Sequence, residues 1–162
     1  MEHRPVYDEM AGLLLGNRWA ALGLAPAPGP AISMVAYAVE PGVGGILLFL
    51  SGLASHTTIL REEGRAALAV SAPDLGAGDP QELPRLALEG PVDAIPRDSA
   101  GFTESWPVYA ARFPSALPRL ALADFILFRL SPASGRYVGG FATAEDVRPE
   151  LLAAAVDARQ SG

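Results

Sequence analysis

Apolar residues along the chain recur every three or four positions, alternate, or run together, and each pattern predicts an element. From Pro5 to Leu15, Val6, Met10, Leu13 and Leu14 recur at helical spacing and Gly16-Asn17 stops the run. Arg18 to Leu24 reads as a strand leading into the breakers Pro26, Pro28, Gly29 and Pro30. Ala31 to Val39 alternates, with Ser33, Val35 and Tyr37 on one face and Ile32, Met34 and Ala36 on the other. After a turn over Pro41 to Gly45, Ile46 to Ser51 is apolar on both faces, which predicts a central strand. A helix follows Ser51 and ends near Gly64, a left-handed cap position. Arg65 to Ala72 reads as a buried strand and Pro73 to Pro80 as a loop.

The second half is less regular. Leu83 to Ile95 predicts a long strand, and Gly90-Pro91 in its middle marks a bend of the kind that curls a sheet into a barrel. Thr103 to Phe113 predicts a short helix capped by Thr103, with Pro107 in its first turn and Trp106, Tyr109 and Phe113 on one face. Pro118 to Ala123 is a connector without an assigned form. Phe125 to Ser131 alternates, and Arg136 to Phe141 is expected to return as its hairpin partner after a Ser134-Gly135 turn. Pro149 to Arg159 closes with a helix. Strands and helices do not alternate as in a doubly wound sheet. The pattern therefore predicts one α+β domain over residues 1–162, a partly closed antiparallel barrel with flanking helices.

Composition narrows the chemistry. Half of the 162 residues are hydrophobic and 19% are charged, as in a folded domain with one core. A net charge of −6 argues against nucleic acid as the main partner, because binding its phosphates needs a basic face. The basic residues are all arginine, so lysine Schiff-base chemistry is excluded for this chain. There is no cysteine, which removes disulfides and thiolate sites. His3 and His56 are the only imidazoles and His3 falls in a terminus expected to be mobile, so no metal site is expected. No apolar run is long enough to span a membrane and the start lacks a signal-peptide pattern, so the expected location is the cytoplasm.

Candidate chemistry collects where the third strand meets its helix. Ser51, Ser55, His56, Thr57 and Thr58 crowd this junction. A helix start presents unpaired N–H groups and the positive end of its dipole, which suits an anion such as a phosphate. Taken alone, Ser55 reads more simply as a plain helix cap. Arg129 reads as a solvated strand residue, and Asp124 as one that caps or orients a neighbour. Trp19, Trp106, Tyr109 and Phe113 read as core or interface packing.

Six segments, in order, carry a resemblance to a known family. They are Arg18-Trp19-Ala20-Ala21-Leu22, Pro30 to Ala38, Leu50 to Thr57, Pro84 to Gly90, Asp124 to Leu130, and Arg136 to Phe141. Across residues 10 to 145 the chain resembles the FMN-binding split-barrel superfamily of pyridoxamine 5′-phosphate oxidase, in the branch related to haem-utilisation proteins. The resemblance implies an antiparallel split barrel and a homodimer with FMN at the subunit interface. It implies that Ser33, Met34 and Val35 line the flavin and that Ser51, His56 and Thr57 sit near its phosphate. Arg85 would supply a further contact, from the opposite subunit.

Departures from the pattern modify these expectations. Thr58 and Ile59 stand where the branch usually has Arg and Asn, and Ser33 stands where the true oxidases carry an arginine. No histidine follows His56, so neither the oxidase substrate motif nor a C-terminal haem ligand is present. The expected function is a flavin-dependent oxidoreductase acting on a small molecule other than pyridoxamine phosphate. The alternatives are a flavin- or haem-binding module without turnover, and an interaction domain that has lost its cofactor.

Overall fold

The structure, a computed structural model, describes residues 5–26, 28–42, 45–140 and 143–162. His3 and Phe141 lie outside the described residues. Among the described residues, four α-helices and nine strands follow the order α1 (Pro5–Gly16), β1 (Trp19–Leu24), β2 (Ala31–Ala36), β3 (Ala38–Val39), β4 (Ile46–Ser51), α2 (Ser55–Glu63), β5 (Arg65–Ser71), β6 (Arg85–Ile95), α3 (Ala100–Arg112), β7 (Phe125–Leu130), β8 (Ser134–Val138), β9 (Ala144–Asp146) and α4 (Pro149–Ser161). Short 3-10 helices occupy Pro80–Glu82 and Pro114–Ala121, the second covering most of the unassigned connector.

All the strand pairs are antiparallel, in the order β2-β1-β5-β6-β7-β4-β3, and β8 pairs with both β6 and β9. β6 produces the curl. Its first part pairs with β5 and β8, and from Val92 to Ile95 it pairs with β7. The change of partner falls at Gly90-Pro91, where the sequence predicts a bend.

Two hydrophobic cores lie on opposite sides of the sheet. In the larger, Tyr7, Met10 and Leu14 of α1 and Leu152 and Val156 of α4 pack with Leu22, Leu48, Leu68 and Leu88. In the smaller, α3 supplies Phe102 and Tyr109 against Leu47, Phe49 and Leu127. β4 is apolar on both faces because Ile46, Leu48 and Leu50 enter the first core while Leu47 and Phe49 enter the second. Phe49, Trp106 and Tyr109 make ring contacts with centroids 4.9–6.0 Å apart, so Trp106 and Tyr109 are packing residues, as expected; Phe113 packs on Tyr109.

Three expectations are corrected. β7 does not pair with β8: apolar on both faces, it is enclosed between β4 and β6, and β8 pairs further back along β6. α3 begins one turn earlier than predicted, with Ser99 accepting from the Phe102 N–H as the cap, so Pro107 lies inside the helix. The cap of α2 is Ala54, whose side chain cannot accept a hydrogen bond, and Ser55 is the first helical residue.

Candidate functional site

β4 ends at Ser51, a turn follows over residues 52–54, and α2 starts at Ser55. Ala54 satisfies none of the donors at the start of α2 through its side chain. Serine, threonine, aspartate or asparagine at this position stabilises a protein by about 0.5–2 kcal/mol over alanine. The Thr57 and Thr58 N–H groups donate to the Ala54 carbonyl, which leaves those of Ser55 and His56 as the donors that an anion can occupy.

α2 lies against β1, β2, β5 and β6. That packing brings His56 to Ser33 of β2, with Ser33 Oγ and His56 Nδ1 hydrogen-bonded at 3.0 Å. Both side chains are half-buried. When the hydroxyl donates to Nδ1, the ring proton resides on Nε2, which is then a donor for an anion. Burial holds His56 below the ordinary histidine range, so the ring is neutral at pH 7.

The other candidates are placed differently. Val35 is a core residue at 2% exposure, whereas Met34 is 48% exposed on the opposite, outer face of β2. Thr57 points inward, is fully buried, and its hydroxyl has no hydrogen-bond partner among the described residues. Ser51 is occupied: its hydroxyl donates to Asp124 Oδ2 at 2.7 Å and accepts from the Leu53 N–H at 3.2 Å. Arg85, on β6, is separated from β2 by β5 and β1, and its guanidinium donates to the carbonyls of Gln81 and Leu83. One chain therefore unites Ser33 with His56, and the exposed Ser55 and Thr58 flank them.

Arg129 is not a solvated strand residue. Its Nε donates to Glu40 Oε2 at 2.5 Å, and one Nη donates to Glu40 Oε1 at 2.8 Å and Ser105 Oγ at 2.8 Å. Glu40 is 6% exposed and also accepts from Ser105 at 2.6 Å. Burial alone would raise the Glu40 pKa, but the hydrogen bonds from Arg129 and Ser105 and the Arg129 charge outweigh it and hold the carboxyl below the ordinary glutamate range. Sequence reasoning missed Glu40. The available signal was register, since alternation puts Arg129 on the same face of β7 as Leu127 of the second core, where a charge needs a partner.

Among solved structures, the chain is similar to a heme binding protein from Mycobacterium smegmatis (22% identity, TM-score 0.82), covering 95% of this chain and 62% of that one. It is similar to a protein of unknown function from Agrobacterium tumefaciens (30% identity, TM-score 0.70), covering 90% of this chain and 59% of that one. It also matches a pyridoxinephosphate oxidase-family protein from Clostridium acetobutylicum (12% identity, TM-score 0.66), covering 93% of this chain and 99% of that one. The chain has an α+β split-barrel fold, and these structures share it. This split barrel spans less than two thirds of the mycobacterial and Agrobacterium proteins. No protein-family model matches it, and no curated protein does. Among the described residues, no helix is long and apolar enough to cross a membrane, and no cluster of acidic or imidazole side chains could hold a metal.

Proposed function

We propose that this split barrel binds FMN at the start of α2 and acts in the cytoplasm as a flavin-dependent oxidoreductase on a small molecule. The observation that carries the reading is the Ser33–His56 pair beside the uncapped first turn of α2. The donor set fits the phosphate end of the cofactor: backbone N–H groups, the Ser55 hydroxyl and His56 Nε2, whose proton the Ser33 hydroxyl fixes by donating to Nδ1. FMN supplies the hydride and electron chemistry when bound. The chain's own residues bind and orient. Burial lowers the His56 pKa in the free protein, and an anion beside the ring acts in the opposite direction by favouring its protonated form.

A second copy of the chain is part of the proposal. Trp19, Ile32 and Met34 are 57%, 77% and 48% exposed, and Ala21, Gly23, Ala67 and Ala69 continue the same outer face through paired positions. Such a face suits a homodimer interface. Arg85 is exposed on this face too, where it could reach a ligand held by the other subunit. Sedimentation should show a dimer that Ile32→Asp dissociates into monomers. A monomeric parent protein would rule the interface out.

The haem-binding activity of the mycobacterial protein favours a second reading, a haem or flavin carrier without turnover. The missing guanidinium at Thr58 supports it, since His56 and neutral donors alone face the phosphate.

FMN and riboflavin titrations followed by flavin fluorescence test the first reading. We expect FMN to bind more tightly than riboflavin. His56→Ala should weaken FMN about tenfold, one charge-assisted hydrogen bond, and leave riboflavin unchanged. Equal losses for the two ligands would remove His56 from the phosphate. A sharp haem band on adding haemin, with no flavin preference, would select the carrier.

A further inference from the structure

The turn that delivers α2 is held from the far side by a residue that belongs to neither β4 nor α2. Asp124 lies just before β7 and makes two contacts with the turn. Its side chain accepts from Ser51 Oγ at 2.7 Å, and its backbone carbonyl accepts from the Gly52 N–H at 2.7 Å. Ser51 Oγ in turn accepts from the Leu53 N–H at 3.2 Å. Ser51 and Gly52 are thus tied directly to one aspartate, and Leu53 is tied to it through the Ser51 hydroxyl. A Cβ on Gly52 would lie 2.7 Å from the Asp124 carbonyl oxygen, so this approach requires glycine at 52.

We infer that Asp124 is a positioning residue that sets the aim of the His56-bearing start of α2, acting through Ser51. The geometry has a physical reason. A helix without a side-chain cap lacks the contact that normally fixes how the chain enters it. In this turn that constraint comes from outside the helix, by a charge-assisted bond to the last residue of the preceding strand. The open donors of α2 then remain available while their direction is fixed by β7. Supporting contacts of this kind determine whether a binding group is held in its productive geometry. Ser51 was expected to sit near a phosphate; its hydroxyl is used on both sides, so its effect on a ligand passes through the turn.

This inference rests on the proposed anion site for its functional meaning, and the test separates the two. Asp124→Ala, Ser51→Ala and Ser51→Thr are compared with the parent protein, first without ligand. Amide hydrogen exchange of residues 53–57 and the NMR titration of His56 report the aim of the turn. We expect Asp124→Ala and Ser51→Ala to speed exchange at Leu53 and to shift the His56 titration. Ser51→Thr, which keeps the hydroxyl, should restore both. Unchanged exchange and titration in folded Asp124→Ala would overturn the inference, whether or not the parent protein binds FMN. In the ligand arm, Ser51→Ala should weaken FMN about tenfold without affecting riboflavin. If the parent protein does not prefer FMN, the phosphate reading fails and the exchange arm still decides the positioning role. Losing both ligands equally would also overturn the inference, because a general loosening would then explain it.

Discussion

Arg129→Ala is expected to lower stability by about 3 kcal/mol, the low end of the range for removing one partner of a buried ion pair. For a chain of this size that is a fall of roughly 6–12 °C in Tm. The asymmetry of the pair sets the size. The Arg129 side chain is 33% exposed and could be hydrated alone, whereas that of Glu40 is 8% exposed and could not. Removing the arginine therefore leaves a nearly buried carboxylate whose remaining side-chain partner among the described residues is the Ser105 hydroxyl. The effect should depend on pH. Glu40 is held below its ordinary range, so the pair's contribution is complete above about pH 4.3 and is lost as the pH falls through the lowered folded value. In the variant, burial without the arginine raises the Glu40 pKa, so the loss should be largest at neutral pH and shrink in acid. Denaturant melts at pH 7 and pH 4 check this. A loss of equal size at both would mean that packing of the arginine stem, and not its charge, carries the effect. Glu40→Leu combined with Arg129→Met should recover most of the stability, because no charge is then stranded.

Gly90→Ala is expected to be as damaging, for a purely steric reason. Residues 131–133, which connect β7 to β8, pass directly over β6 at Gly90, with the Ser131 N–H bonded to the Pro91 carbonyl and the Ala133 N–H to the Glu89 carbonyl. A Cβ at position 90 would overlap the Ser131 carbonyl oxygen and lie 2.9 Å from its carbon. Both obstacles are backbone, so no rotamer change relieves them. We expect a loss of roughly 3 kcal/mol, the upper part of the range for overpacking, or failure to fold. Gly76→Ala is not an adequate control because its φ of 77° strains any side chain. Gly16→Ala, where nothing lies within 4 Å of the new methyl, is the proper one and should melt close to the parent protein. Gly90→Ala melting with that control would mean that the crossing can open without cost.

These two sites show what was legible in the sequence. The bend at Gly90-Pro91 could be read because glycine and proline mark a strand locally. The doubly apolar β4 could be read as central because no exposed strand tolerates Ile46 to Leu50 on both faces. The partner of β7 could not. The turn chemistry of Ser134-Gly135 suggested a hairpin, but Phe125 to Leu130 already pairs on both edges, a fact that resides in distant segments. The Glu40–Arg129–Ser105 group was illegible for the same reason, since its members are 24 to 89 residues apart. At the candidate site the sequence singles out the β4–α2 junction on which the proposed function rests. It could not show that Ser51 faces Asp124, that Thr57 faces inward or that His56 reaches back to Ser33, because each depends on how α2 lies on the sheet.

One strand, β6, contributes Leu86, Leu88 and Val92 to the larger core and Ile95 to the smaller. Neither core can come apart while that strand stays in place, and neither can keep it alone. The slowest-exchanging amides of β5 and β7, on its two sides, should therefore share one opening free energy, and the domain should lose both cores in a single cooperative event.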